Sequence, residues 1–538
     1  MAGQGNYPRT EKGKLFNQLT EKDIAFIKKT YFNKSKSWNE RIGILQEYCG
    51  LSNERTVRKW LAKLKLSGEG VEPEEYTKAK KRKLDKSKSR FIITYCQNNT
   101  PLNMPFWDNI KAYAKFIDAD IHVILGRYKN PTSVFQDIDK EFWSPEVIPY
   151  ADANRHNVHK NLAILSDIKV QPTAVMPLSG LESITYGESC VIGSPKCQMK
   201  VCPTLRTYEP KIMMSTGAVS LENYTDSKAG KKGEFHHVFG FVIVEVKDKD
   251  TYFMRQVTAN KKGNFIDLWN NVEDGKITRA KEACGFIVAD KHVGDHCEIV
   301  DIQQRKIMDI VKPKYSVWHD IFNGKSVNNH VLNDVVTQYQ LEMSNENNLQ
   351  NEIDNMLKYL ESVVKYNPVI VASNHNDWLD RVVRKGELVK SGIKNFATLN
   401  KLTQVALEGK AKKGLIAYII DEHFKGKIKT LGYNESFKIG GKNPYECAQH
   451  SNYGANGSRG SANSFRSVTK YCLGHTHTPL RLEGVLYAGT STKLDLDYTN
   501  GLSSWLNADI LINSDTKAQH IIYLGKNKEF TTFKFPKK

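Results

Sequence analysis

Apolar positions in the first seventy residues recur at helical spacing, and three short helices account for them. Thr20 followed by Asp23 reads as a helix start, continued by Ile24, Ile27 and Tyr31. A second helix opens at Trp38-Asn39-Glu40-Arg41 and runs through Ile42, Leu45 and Tyr48. After the turn Cys49-Gly50-Leu51-Ser52 a third spans Asn53 to Leu64, with Val57, Leu61 and Leu64 facing inward and Arg55, Arg58, Lys59 and Lys63 outward. From Arg90 the period shortens. Apolar runs at 91–96 and 121–125 predict strands on either side of a helix at 105–117. Later runs at 163–165, 238–244 and 252–254 predict mixed or antiparallel pairing, and this α/β region extends to about Gly275. Helical patterns then cover 299–311 and a long stretch from Val335 to Tyr366, whose core stripe is Leu341, Met343, Leu349, Ile353, Met356 and Leu360.

With 538 residues the chain exceeds one typical domain. The pattern divides it into a helical domain at 1–70, a basic linker at 71–90, an α/β region at 91–278 and a second α/β unit at 279–538. A hydrophobic content of 40% and a charged content of 25% are those of an ordinary globular protein. Lys+Arg of 78 against Asp+Glu of 59 leaves +19, an excess that favours a polyanionic partner. The turn and third helix resemble a helix-turn-helix, in which the last helix enters the major groove of DNA and its basic residues meet phosphates or base edges. A three-helix protein-interaction module with a solvated basic face is the alternative. The run Lys78, Lys80, Lys81, Arg82, Lys83, Lys86 and Lys88 reads as a solvated linker that can also track the DNA backbone. No apolar run is long enough to span a bilayer and the N-terminus carries no signal-peptide core, so a cytoplasmic protein without a membrane partner is expected. Nine cysteines, an odd count, fit reduced thiols, and Cys190, Cys197 and Cys202 read as structural.

Metal-type side chains gather where apolar runs stop. Tyr471-Cys472-Leu473 leads into Gly474-His475-Thr476-His477. Residues two apart on an extended backbone point the same way, so both imidazoles are expected to project together from a strand end. Phe286-Ile287-Val288-Ala289 leads into Asp290-Lys291-His292, and Tyr315-Ser316-Val317-Trp318 into His319-Asp320. Val369-Ile370-Val371-Ala372 leads into Ser373-Asn374-His375-Asn376-Asp377. Open α/β sheets build their sites just outside strand ends, and four such coincidences point to a metal site. His236 and His237, adjacent on an expected strand, would face opposite ways and form none.

In this order the motifs resemble those of the calcineurin-like metallophosphoesterases: Asp-x-His, Gly-Asp, Gly-Asn-His, a lone His, and Gly-His-x-His. The matching positions are Asp290 and His292, Asp320, Asn374 with His375, His450, and His475 with His477, over about half the chain from near Lys281. His319 and Ser373 stand where the family has Gly, which affects loop shape more than ligands. The resemblance implies an α/β fold with a calcineurin-like core of packed mixed sheets flanked by helices, joined to the N-terminal helix-turn-helix and the middle α/β region. It also implies two divalent cations sharing Asp320, one held further by Asp290, His292 and His477, the other by Asn374, His450 and His475. Imidazole, carboxylate and amide ligands together suit manganese or a similar first-row ion better than an all-oxygen magnesium site. His375 is implied as the general acid toward the leaving 3′ oxygen, or as a stabiliser of the phosphate. For the lone histidine, His423 and His330 compete with His450, which is preferred for the apolar run before it and the Gly-rich loop after it. That loop carries Arg459, read either as a phosphate ligand or as an exposed arginine on a flexible segment. His319 is read as orienting, as contacting substrate, or as structural.

A metallophosphoesterase core with its own DNA-binding module and a positive charge is similar to the DNA nucleases of this family. These include the nuclease subunit of double-strand-break repair complexes and enzymes with which tailed phages destroy host DNA, which act in the host cytoplasm. A homo-oligomer is left open. A phosphomonoesterase or protein phosphatase is the enzymatic alternative, but phosphoprotein phosphatases continue the second motif as Asp-Arg-Gly, and here Asp320 is followed by Ile321-Phe322-Asn323-Gly324. A non-catalytic DNA-binding regulator is disfavoured because every ligand position is filled.

Overall fold

Along the strand Gly285–Val288, Phe286 and Val288 turn toward one layer while Ile287 and the following Ala289 turn toward another. That alternation, repeated in Ser316–Trp318 and Pro368–Val371, makes a sheet buried on both faces. The computed structural model describes residues 15–31, 33, 38–51, 53–64, 82, 84–85, 87–130, 141–496 and 500–536. The sheet has six strands in the order Lys429–Leu431, Pro368–Val371, Ser316–Trp318, Gly285–Val288, Ala508–Ile512 and Ala518–Ile522. The first four are parallel and the last two antiparallel. Its outer face packs on the helices Glu298–Val311, Leu349–Val363, Asn374–Lys385 and Leu415–Phe424 through Ile307, Met356, Leu360, Leu379, Val382 and Ile420.

Its inner face meets a ten-stranded sheet, where Ile287, Val317 and Val369 bury against Tyr445, Cys472 and Leu486. This second sheet crosses the boundary expected near residue 279. Its strands come both from 155–215 and from 438–487, joined where Leu480–Leu482 pairs with Gln198–Cys202. The stretch 91–278 thus shares a sheet with the C-terminal unit: its strands between 155 and 215 complete the sheet against which both the five-stranded and the six-stranded sheets pack. A five-stranded sheet, Tyr252–Thr258, Gly240–Val246, Arg90–Gln97, Asp120–Gly126 and Ala151–Asp152, packs Ile93 and Val242 against Val191 and Met214 of the ten-stranded one. The helix Met104–Phe116 covers its other face.

The expected helix from Val335 to Tyr366 is two helices, Val335–Met343 and Leu349–Val363. The chain turns at Asn345 in left-handed conformation (φ 58°), and Asn348 caps the second helix by accepting from the Asn351 N–H at 3.0 Å. Leu349, Ile353, Met356 and Leu360 are core as expected, whereas Met343 is 70% exposed. His236 and His237 follow the helix Lys228–Phe235 rather than lying on a strand. His236 pairs with Glu483, while His237 bonds Tyr224 Oη and Ser220 O, so they form no joint site for this different reason.

At the N-terminus, Glu21–Tyr31, Trp38–Cys49 and Glu54–Lys63 are helical. Thr20 and Asp23 exchange hydrogen bonds at the first helix start, and Ile27, Tyr31, Ile42, Leu45, Val57, Trp60 and Leu61 form a small core. Leu64 is partly buried against it. Lys59 and Lys63 are exposed, Lys63 lying 4.9 Å from the Phe16 ring. The side chains of Arg55 and Arg58, and of the basic run all but Arg82 and Lys88, lie outside the described residues. Arg82 does not face outward: it bonds Asp120 at 2.6 Å and the carbonyls of Ile121 and Tyr150.

Candidate metal centre

Three of the four parallel strands of the six-stranded sheet, Gly285–Val288, Ser316–Trp318 and Pro368–Val371, end in the residues singled out above, and so does the strand Tyr471–Leu473 of the facing sheet. The ends meet. His477 Nε2 lies 3.0 Å from Asp290 Oδ2 and 3.2 Å from His292 Nε2. His450 Nε2 lies 3.0 Å from both Asp320 Oδ2 and Asn374 Oδ1, and His475 Nδ1 reaches the same Asn374 Oδ1 at 3.0 Å. Asp320 Oδ2 is also 3.9 Å from His292 Nε2, so this carboxylate belongs to both sets. Asp290, His292, Asp320, Asn374, His450, His475 and His477 thus form one cluster fed by both sheets. Neither competitor of His450 reaches it: His330 is exposed, and His423 pairs with Glu361 at 2.8 Å.

The backbone at these positions differs from expectation. His475 and His477 do not share a face of an extended strand, because their φ angles are 78° and 55°. His292 (φ 44°) and Asp320 (φ 41°) are left-handed too. Such conformations cost non-glycine residues of order 1 kcal/mol or more each and collect at functional sites. They curl each loop back over the strand end so that its ligands face inward. Gly474 allows that closure by having no side chain: a Cβ there would stand 2.5 Å from Asp290 Oδ1 and 2.7 Å from His319 Cγ. The His475 N–H in turn donates to both Asp290 oxygens, at 3.1 and 2.9 Å.

Behind the cluster a polar network fixes the loops. Lys291 points away from its neighbours Asp290 and His292, donating to Asp301 at 2.5 Å and Gln304 at 2.9 Å. Gln304 donates onward to Ser491 and Asp509, and Asp509 accepts from the Ala289 N–H at 2.9 Å. Asn323 donates to Asp295 at 2.9 Å, tying the loop after Asp320 to the loop after His292. Ser373 tolerates the glycine position with φ −146° and caps the Asn374–Lys385 helix.

Two histidines complete the picture. His375 donates from Nδ1 to Asn323 O at 2.7 Å, lies against Trp378 with ring centroids 3.7 Å apart, and so turns Nε2 toward His292 and Asp320. His319 is fully buried, its Nδ1 3.2 Å from His450 Nδ1, and forms a third potential ligand group with Asp290 and His450. Its weight in the site was not legible from a position where only a missing glycine stood out. Trp505, 4.2 Å from the His477 ring and far from any motif, carried no sequence signal at all.

The residues fit metal ions. With ligands about 2.1 Å from a cation, neighbours in its coordination shell sit roughly 3.0–3.4 Å apart. Most of the nitrogen and oxygen contacts above fall in that range, including the imidazole pairs His292–His477 and His319–His450. Buried His292 Nδ1, His319 Nε2, His477 Nδ1 and Asp320 Oδ1 have no hydrogen-bond partner among the described residues. The protonation states are mostly those metal binding needs. Burial pushes His319 and His475 down to about 4, with His450 adding to it, and holds His292 well below its usual value. Burial opposes the Asp290 and Asp320 carboxylates, yet His450 holds both below the ordinary range. His450 is the exception: despite burial, Asp320 and Asp290 raise its pKa, so a cation must displace its proton.

Arg459 is exposed on the loop after His450 and close enough to His475 to depress its pKa. Among the described residues no helix is long and apolar enough to cross a membrane. Cys190, Cys197 and Cys202 are buried free thiols.

Comparison with known proteins finds Protein A1 of Escherichia phage T5, 30% identical over an alignment of 474 residues, with 83% of each chain covered. No family model matches the chain, and no solved structure matches it.

Proposed function

The chain belongs to the family of phage T5 Protein A1, and from its metal centre we propose that it is a metal-dependent deoxyribonuclease of the calcineurin-like metallophosphoesterase type. The observation that carries this reading is the single carboxylate, Asp320, placed within reach of two sets of ligands, Asp290–His292–His477 and Asn374–His450–His475. Two mixed sheets packed face to face with helices outside, and ligands at the strand ends, are what that fold requires. Its phage relative favours a phage role, and the proposed target is the DNA of the infected host.

A pair of divalent cations at these ligands, manganese being the best match to the donor set, would supply an activated water and neutralise charge on the phosphoryl group. The chain's own groups do the rest. Protonated His375, its Nδ1–H held by Asn323 O, presents the Nε2–H to the leaving oxygen. Burial depresses its pKa, while Asp320 opposes that effect, so an arriving phosphate is what favours the charged form. Arg459 stands at the rim to receive a backbone phosphate. Lys59 and Lys63, with Arg55 and Arg58 of the same helix, would hold DNA near the site. The loop after Asp320 argues against a phosphoprotein phosphatase: the position after it is Ile321 rather than an arginine, and Ile321 and Phe322 are fully buried.

Purified protein with manganese should degrade plasmid or linear DNA, and the Asp320→Ala variant should not. Hydrolysis of small phosphomonoesters with DNA left intact would replace this reading by a phosphatase. Binding of DNA without turnover under any divalent ion would replace it by a regulator.

A further inference from the structure

Away from the metal centre, a buried guanidinium is left partly unsatisfied. Arg481, in the strand Leu480–Leu482, is 6% exposed, and among the described residues nothing accepts from its Nε or Nη1. Leaving a buried guanidinium so is costly unless an acceptor or counter-charge arrives. Strand register fixes where it points. Arg481 pairs with Leu486 and Leu486 with Cys472, so the three stand in one row across the sheet. Leu486 and Cys472 lie in the core facing the six-stranded sheet, and Arg481 shares that side.

Two more cations close on the same place. Lys470, half-buried just before the strand Tyr471–Leu473, lies so tightly over Gly484 that a Cβ there would meet its Cγ at 2.7 Å, and its ammonium is 4.4 Å from the Tyr445 ring centre. Lys517 comes from the facing sheet, in the turn before Ala518–Ile522. That turn is pinned by Thr516, which packs against Gly440 and accepts from the Gly441 N–H at 2.9 Å. Burial lowers both ammonium groups, and Arg481 lowers each further. The nearby carboxylate is Asp515, itself pushed up by burial. Three cations against one carboxylate leave an excess of two positive charges. This end is where Tyr471–Leu473 begins, and the metal ligands His475 and His477 follow its other end, so the two places are separate.

We infer that Arg481, Lys470 and Lys517 form a second anion site that takes a phosphate group. A dianionic tetrahedral oxyanion matches the excess charge, and the guanidinium fork can bind two of its oxygens. The site stands independently of the nuclease reading.

Equilibrium dialysis of the full chain with labelled inorganic phosphate, at fixed ionic strength in chloride, tests it. The metal centre is removed as a competing phosphate site by working in the Asp320→Ala background with chelator. One bound phosphate per chain should persist there, and Arg481→Gln or Lys517→Gln should weaken it about tenfold or more. Lys517→Gln, on a half-exposed turn, keeps the test decisive if the buried arginine variant fails to fold, as melting curves will show. No phosphate on the Asp320→Ala chain, or unchanged binding in folded Arg481→Gln and Lys517→Gln chains, overturns the site. Displacement of the label by a short unphosphorylated single-stranded oligonucleotide would assign it to a nucleic-acid backbone. Displacement only by free phosphate or a nucleoside monophosphate would assign it to a small molecule, and either result keeps the site.

Discussion

Replacing Gly474 by alanine isolates packing from backbone conformation at the metal centre. Gly474 is not among the residues with positive φ, so alanine can adopt its backbone without strain. The new methyl would instead meet Asp290 Oδ1 at 2.5 Å, His319 Cγ at 2.7 Å and His319 Cβ at 2.9 Å. Asp290 Oδ1 would have to retreat about 0.9 Å to reach an ordinary contact of 3.4 Å. It cannot do so freely, because the His475 N–H and His477 hold that carboxylate. A ligand constellation tolerates roughly 0.5 Å of misplacement, so metal affinity should fall about 10–100-fold. Overpacking costs about 1–3 kcal/mol, offset by roughly 0.4–1 kcal/mol from a less flexible unfolded chain, so the fold should survive. Metal content after dialysis against graded free manganese, alongside a melting curve, reads both effects. Gly187→Ala, where an added Cβ meets nothing within 4 Å, is the control and should change neither. A Gly474→Ala chain with wild-type manganese affinity would refute the reasoning, since Asp290 could then not be a ligand confined by that contact.

Three further outcomes follow from named contacts. His375→Ala should keep its metals yet lose about 10²–10⁴-fold in turnover on DNA, read by metal analysis and a digestion time course; loss of metal would make His375 a ligand instead. Arg255 is buried between Asp267, at 2.7 and 2.8 Å, and Glu245, so Arg255→Met strands two buried carboxylates and should cost about 3–5 kcal/mol in denaturant unfolding; a loss under 1 kcal/mol would mean they find other partners. Burial raises the Asp509 carboxyl to about 6 from an ordinary 3.8, so the folded chain keeps a proton that the unfolded chain releases. In chelator, stability should therefore fall as pH rises from about 4 to about 6, by up to roughly 3 kcal/mol relative to Asp509→Asn; parallel pH curves for the two chains would remove Asp509 from the effect.

The strands that carry the ligands were legible because a buried strand ending in an acid or imidazole has no other comfortable sequence pattern. Asp290, Asp320 and Asn374 could be placed at strand ends from the runs before them. The curl of the loops could not, because the left-handed backbone of His292, Asp320, His475 and His477 is imposed by tertiary closure against local preference. The helix break at Asn345 hid inside a polar stretch that keeps helical period on either side. Sheet membership was hidden for a different reason. Nothing in Met199 or Leu480 announces a partner nearly three hundred residues away, so the stretch 91–278 that holds Met199 read as a region of its own. Arg82 illustrates the same limit, since a run of lysines and arginines gives no sign that one of them docks on Asp120.

The shared sheet changes what the stretch 91–278 must be doing. Asp290, His292, Asp320 and Asn374 come from the six-stranded sheet, whereas His475 and His477 follow a strand of the ten-stranded one, and His450 precedes it in the same segment. The metal centre is therefore a seam, and its ligand distances depend on how the two sheets sit on each other. Of the ten strands, five lie between 155 and 215, and Leu480–Leu482, three residues after His477, is hydrogen-bonded directly to Gln198–Cys202. Without that neighbour the strand would become an exposed edge, free to twist or pair elsewhere. The late histidines would then lose the fixed frame that holds them within 3.0 Å of Asp290 and Asn374. The middle of the chain thus acts as the footing of this seam, which is why the candidate metal centre needs sequence on both sides of residue 279.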